Sequence, residues 1–286
     1  VNIVQKRKLW TSISCAIIVL GIVLAFTRGL NFGIDFTGGT LMEIDLKEYV
    51  ETSQVRNITD KIDPSASIMH IGEEKHIVQI RTTENLDNEA RIKIFNEFKD
   101  KYNLDEQDLV RSEQFGPAIG REIRNKALIS ILLATIGMLI YISIRFELSY
   151  GISAIIALIH DVLIVLSVYS IFRIPINSPF VAAILTVVGY SINDSIVVFD
   201  RIRENIKTVT KKDYVAIAND SIKQTISRSI NTSLTTLISI IALYILGVEA
   251  IKDFTLPLLV GILAGTYSSI FIASPIWVLL KERGNI

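Results

Sequence analysis

Gly189-Tyr190-Ser191-Ile192-Asn193-Asp194-Ser195-Ile196-Val197-Val198-Phe199 decides how the rest of the chain is read. It lies in a run, 180–199, that is otherwise apolar enough to cross a bilayer, whose hydrocarbon core of about 30 Å takes roughly 20 helical residues. At about 1.5 Å of rise per residue, Asp194 sits deep inside that run. Placing a carboxylate there costs on the order of 3 kcal/mol, and such a residue by default marks a function.

Five further runs of the same kind surround it, at 9–26, 127–144, 150–172, 228–246 and 256–280. A second acid, Asp161, stands about halfway along 150–172 and is preceded by His160. A cation, Arg228, opens the run that follows the Asp194 span. Desolvation favours the neutral form of a carboxyl and a nearby cation the charged form, which is the property a proton carrier requires. Asp194, Arg228, Asp161 and His160 are therefore the candidate proton relay, with an Asp194–Arg228 pair that forms and breaks as its switch. A static buried pair that fixes helix register is the alternative reading.

Half of the 286 residues are apolar although a fifth are charged, so the charges are segregated from the spans. The 29 basic and 29 acidic residues cancel, which gives no basic face for nucleic acid. Cys15 is the single cysteine and lies in the first run, excluding a disulfide framework and a zinc ligand set. His70 and His76 lack ligand-spaced partners, so no metal, catalytic or cofactor residues are assigned. The first run is too long for a signal peptide, and Ala25-Phe26-Thr27 lacks a small-x-small cleavage site, so it reads as a retained anchor.

Lys6, Arg7 and Lys8 before the first span predict a cytoplasmic amino terminus, and six crossings return Lys281 and Arg283 to that side. Arg145 and the basic stretch from Arg201 through Lys207, Lys211 and Lys212 to Lys223 agree with this orientation. The chain then divides into 1–30 (amino terminus and first span), 31–120 (a domain outside the cytoplasm) and 121–286 (five spans, with a cytoplasmic loop at about 200–227). Within that loop, 216–224 has the pattern of an amphipathic helix.

In the polar block, strands are expected at 41–46, 67–71, 76–81 and 109–115. A short helix is expected at 54–62 and a longer one capped by Asn88, with Ile92, Phe95, Phe98 and Tyr102 on its buried face. The order βαββαβ is the ferredoxin-like α+β pattern, whose uncovered sheet face is open to an extended chain or a partner domain. Gly33-Ile34-Asp35-Phe36-Thr37-Gly38-Gly39-Thr40 lacks the Lys-Ser/Thr ending of a phosphate loop, and its glycines predict a sharp positive-φ turn into the first strand. Gly116, Pro117 and Gly120 make the return joint, and each joint reads equally as a hinge or a rigid turn. Gly261 and Gly265, followed by Ser269, place small residues on one face of the last span, a packing signal within the bundle or toward a second subunit.

The glycine stretch from Gly33, Gly116-Pro117-Ala118-Ile119-Gly120, Ile159-His160-Asp161, the segment from Tyr190 to Asn205 and Arg228-Ser229-Ile230-Asn231-Thr232-Ser233 together resemble the SecF family, over nearly the whole chain. That family is similar to one half of the resistance-nodulation-division exporters. The resemblance implies a bacterial cell-membrane protein that partners SecD and the SecYEG channel with its SecA ATPase. It also implies a proton-driven role in pulling preprotein across the bilayer, with Na⁺ as an alternative coupling ion. By position, Asp194 matches the family's key carboxylate and Arg228 its basic partner. The chain starts at Val1 rather than Met, which reads equally as a trimmed chain or as a piece of a fused SecDF polypeptide. Two other classes compete: a small-molecule proton antiporter, and an intramembrane aspartyl protease with Asp161 and Asp194 as a dyad. The protease reading lacks the Gly-x-Gly-Asp motif, since Ile192-Asn193 precede Asp194.

Overall fold

The computed structural model describes every residue except Val1, Glu73, 209–212, Val248 and 285–286, and it leaves the side chains of 249–250 undescribed. Lys211 and Lys212, which bear on the orientation reading, and Glu73, between the strands expected at 67–71 and 76–81, lie outside the described residues.

Among the described residues, six helices are long and apolar enough to cross a membrane. The first, α1 (Arg7–Arg28), follows a 3-10 turn and leads into one-turn α2 (Ile34–Thr37). The polar block folds as β1 (Gly39–Asp45), α3 (Thr52–Thr59), β2 (Ser67–Ile71), β3 (Ile77–Thr82), α4 (Asn88–Tyr102) and β4 (Leu109–Phe115). The remaining spans are α5 (Pro117–Arg145), α6 (Leu148–Phe172), α7 (Ser178–Thr208), α8 (Tyr214–Leu246) and a last one built from α9 (Glu249–Ser268), a π-helical turn (Ser269–Ala273) and α10 (Ser274–Glu282).

The strands form one antiparallel sheet in the order β2-β3-β1-β4. Strand alternation sends Met42, Ile44, Val78 and Ile80 to one face, where they pack on Val55 and Ile58 of α3 and Ile94, Phe95 and Phe98 of α4. Ile92, expected on that helix face, is 48% exposed, and Ile94 takes its place. The cap is Asp87 rather than Asn88, since the Asp87 side chain accepts the Ala90 N–H. The other sheet face, with Leu41, Glu43, Gln79 and Arg81, overlooks a crevice of about 390 Å³ floored by Asn177, Pro179 and Asp253 of the bundle.

The apolar counts end the spans too early. α7 continues to Thr208 because Ile202 is fully buried and Ile206 packs on the core, while the intervening charges pair along the solvent side, Arg201 with Glu204 at 2.6 Å. The stretch 216–224 is the opening of α8 and not a separate interfacial helix, because Ile217, Ala218 and Ile222 are buried in the bundle. Most of the expected loop at 200–227 is thus helix. Trp277 closes this end, stacked on Tyr150 and met edge-on by Tyr214. By contrast α5 buries only Gly120 and Ile142, and Leu128, Leu132, Leu133 and Ile144 point outward. A surface so apolar suits lipid or another hydrophobic partner rather than water.

Within the sheet domain, Asp63 accepts hydrogen bonds from Thr82 Oγ1 at 2.5 Å and from the Ser65 N–H and Oγ at 2.8 and 2.5 Å. Burial alone would push its carboxyl up, but the bonds from Ser65 and Thr82 outweigh it and hold the group below its usual 3.8. A carboxyl lowered in the folded state stabilises fully above its unfolded value, and that contribution disappears as pH falls through the folded one. Asp63→Ala is expected to cost about 2 kcal/mol at neutral pH, with a smaller deficit below about pH 4. Denaturant unfolding of the full chain in detergent at both pH values reads this directly; an equal cost at both would contradict it.

Candidate functional site

Small residues bring three helices close enough to share a polar centre. A Cβ on Gly261 would lie 2.2 Å from Val187, and one on Gly265 would lie 3.1 Å from the Ser191 Cβ, so α9 packs directly on α7. The two glycines therefore serve packing inside the bundle. On the opposite side, Gly21 of α1 meets Ser167 of α6 in the same way, a close approach that the sequence reading did not single out.

At this junction Asp161 is completely buried and receives three donors from three elements. His160 Nδ1 lies 2.9 Å from its Oδ1, while Ser191 Oγ of α7 and Ser268 Oγ of α9 donate to its Oδ2 at 2.5 and 2.8 Å. The other His160 nitrogen, Nε2, meets Ser14 Oγ of α1 at 2.8 Å, and the ring stacks on Tyr267. One acid thus ties together α1, α6, α7 and the last span. Such buried polar centres are retained only when their members are hydrogen-bonded, because an unmet carboxylate in a low-dielectric medium is costly.

Asp194, 6% exposed, lies one turn further along α7 and takes its single described bond from Ser269 Oγ at 2.6 Å. Ser269 is the first residue of the π-helical turn, and Ser274 Oγ returns a bond to the Ser269 carbonyl at 3.1 Å. A π turn inserts a register defect into a helix and recurs at functional positions. Asp161 and Asp194 are held by separate hydroxyls with no shared hydrogen bond, which is not the arrangement of a protease dyad.

Arg228 does not pair with Asp194. It is exposed and has no ion-pair or hydrogen-bond partner among the described residues, and the helix α8 that carries it begins earlier, at Tyr214. It lines an open polar cavity of about 760 Å³ shared with Asn193, Asp200, Arg201, Arg203 and Lys207. Asn193 is adjacent to Asp194 in sequence, so the cation and the acid flank the same stretch of α7 from different sides. Above the cavity, Tyr190, Ser233, Thr236 and Thr266 continue the hydroxyl contacts between α7, α8 and α9.

The glycine joints divide by cause. Gly38 and Gly39 have φ of +84° and +147°, conformations that a side chain resists, as expected of a sharp turn. Gly33, at φ −69°, instead makes room: a Cβ there would fall 1.8 Å from Asn177 Oδ1. Gly116 adopts an ordinary extended conformation as the cap of α5, with Pro117 in the first turn where its missing N–H is harmless. Gly120 admits the Phe36 carbonyl, which a Cβ would approach to 2.6 Å.

The hydroxyls of Ser14, Ser191, Ser268 and Ser269 were not foreseen as site residues, although Ser191 and Ser269 stand in stretches already singled out. Asp161→Ala would leave three donors without their acceptor and is expected to cost about 3 kcal/mol. A fall in the thermal midpoint of the detergent-solubilised chain measures it, and an unchanged midpoint would contradict the assignment.

Comparison with known proteins bears on what such a site belongs to. The family model described as "Protein export membrane protein SecD/SecF, C-terminal" matches residues 95–283, and the "SecD/SecF GG Motif" matches residues 23–50. The chain is 38% identical over 286 residues to the protein translocase subunit SecF of Desulfurispirillum indicum, covering 98% of this chain and 91% of that one. It is 39% identical over 284 residues to the protein translocase subunit SecDF of Bacillus subtilis, covering 98% of this chain but 38% of that longer one. The crystal structure of SecDF from Thermus thermophilus, titled a translocon-associated membrane protein, overlays with a TM-score of 0.87 at 37% identity, covering 99% of this chain and 39% of that one. A SecDF structure in a super-membrane-facing form overlays at 0.75 with the same identity and coverage. The chain belongs to the SecD/SecF family of protein export membrane proteins, and it aligns almost end to end with SecF subunits.

Proposed function

We propose that the chain is a SecF-type subunit that works with a SecD partner at the SecYEG channel, downstream of SecA, and uses ion flow to draw translocating preprotein across a bacterial cell membrane. The observation that carries this reading is a nearly buried carboxyl, Asp194, whose one hydrogen bond among the described residues is to a hydroxyl on a π-helical turn, beside a polar cavity lined by an arginine with no partner among the described residues.

In this proposal the Arg145, Arg201, Arg203 and Lys207 end of the bundle faces the cytoplasm, and the sheet domain is a ferredoxin-like module on the opposite side. Its βαββαβ order and its β2-β3-β1-β4 sheet support that description. H⁺ is the coupling ion, with Na⁺ as the substitute to be tested. Charged, Asp194 accepts from Ser269; neutral, it becomes a donor itself, and the bond to the π turn must be remade. Arg228 stabilises the charged form when α7 and α8 shift to bring the two together. Because a π turn already breaks helix register, the last span is where the bundle can adjust at low cost. The two SecDF structures, equal in identity and coverage, overlay this chain at 0.87 and 0.75, which supports more than one arrangement of such a chain without placing the difference in any one segment.

The energy suffices. One proton crossing 100 mV supplies about 2.3 kcal/mol, a bias of roughly fifty-fold if fully coupled. Asp161, held by three donors, acts here as a fixed anchor. Asp194→Asn is expected to abolish the proton-dependent part of preprotein transport into membrane vesicles while the variant still copurifies with SecD. Full stimulation in that variant would refute the reading.

A further inference from the structure

α7 carries Asp194 about 24 Å from its first residue, Ser178, at 1.5 Å per residue. That first turn is not capped by its own flank. Asn177 precedes it and has a side chain suited to capping, but its Oδ1 lies against Gly33 and its Nδ2 donates to Asp253 Oδ2 at 2.8 Å. The Ser178 N–H is taken by Asp35 Oδ2 at 2.8 Å, from the glycine motif 143 residues earlier. A carboxylate at a helix N-terminus satisfies an orphan donor and also meets the positive end of the helix dipole.

Around this bond the two segments are laced. The Gly33 N–H donates to the Ile176 carbonyl and the Ile176 N–H to the Asn31 carbonyl, each at 2.8 Å, forming a short parallel bridge. Asn31 Nδ2 reaches the Arg173 carbonyl at 2.9 Å. Asp253, at the start of the last span, also receives Arg81 of β3 at 3.3 Å, so the sheet itself is attached at the same point. Glycine at position 33 is required because Asn177 occupies the space of a side chain.

We propose that Asp35 is a positioning residue that locks the start of α7 to the entry segment of the sheet domain, so that a shift of α7 at Asp194 is delivered to the domain as movement. This rests on the proton-coupled reading above. The glycine motif is then a mechanical joint and not a ligand loop, and Asp35 works through its acceptor oxygen more than its charge.

The test uses the complex with SecD reconstituted in vesicles, in a Cys15→Ser background, with two spin-label pairs measured across a pH titration. One pair, Asp100→Cys with Ile245→Cys, reports the domain against the bundle; the other, Leu133→Cys with Lys207→Cys, reports the bundle alone. Both distances should change with pH in the parent protein and neither in Asp194→Asn. Asp35→Ala should keep the bundle change and lose the domain change, and Asp35→Asn, which retains an acceptor, should restore it. A domain change in Asp35→Ala as large as in the parent would overturn the lock. Loss of the bundle change as well would reduce Asp35 to general stability and overturn it equally. Parent-like changes in Asp194→Asn, or none in the parent, would sink the proton reading and this inference together.

Discussion

A carboxyl group inside a helical bundle has to be given donors, and this bundle is arranged around giving them. Asp161 draws its hydroxyls from α7 and α9 and its imidazole from its own helix, and the same imidazole reaches α1. Each donor comes from a different helix, so the helices cannot separate without orphaning a buried polar group, which costs more than the bond itself contributes. The small residues at Gly21, Gly261 and Gly265 exist in the same logic: hydroxyls reach a carboxylate only if the backbones approach first.

Asp194 differs in a way that matters chemically. Asp161 on α6 is given three donors, while Asp194 on α7 holds, among the described residues, one bond to a turn that is already out of α-helical register. Two acids of identical type, bonded to consecutive serines of the last span, Ser268 and Ser269, are thereby given different environments, one with three donors and one with a single described bond. A stiff acid fixes geometry; a pliant one can change state. The attachment of α7 at its far end to Asp35 and the Asn31–Gly33 bridge extends that difference beyond the bundle to the sheet domain.

Much of this architecture is legible in the chain. Hydrophobic length finds six spans, and alternation finds the strands, because both patterns follow from one helix or strand meeting one environment. The ends of α7 and α8 escape, since beyond Phe199 the helix is carried by the inward stripe of Ile202 and Ile206 while its outer faces are charged. The depth of Asp161 and Asp194 can be counted, but the hydroxyls around them cannot: Ser268 lies 107 residues from Asp161, and Ser14 lies 146 residues from His160, and serine is too common to signal itself. The π turn left a faint trace in Ser268-Ser269 followed by Pro275, whose missing N–H belongs to the next turn. Arg228, with no partner among the described residues, shows the limit of adjacency arguments, because consecutive antiparallel spans share a face only over part of their circumference.

The proposal turns on Asp194 being the group that exchanges a proton, with Asp161 as a fixed anchor. Infrared difference spectroscopy of the membrane-embedded complex, titrated with pH and compared among the parent, Asp194→Asn and Asp161→Asn, tests it most directly. The account predicts a protonated-carboxyl band that follows pH in the parent, disappears in Asp194→Asn and persists in Asp161→Asn. A band that survives Asp194→Asn but vanishes with Asp161→Asn, or no titrating band at all, would contradict it.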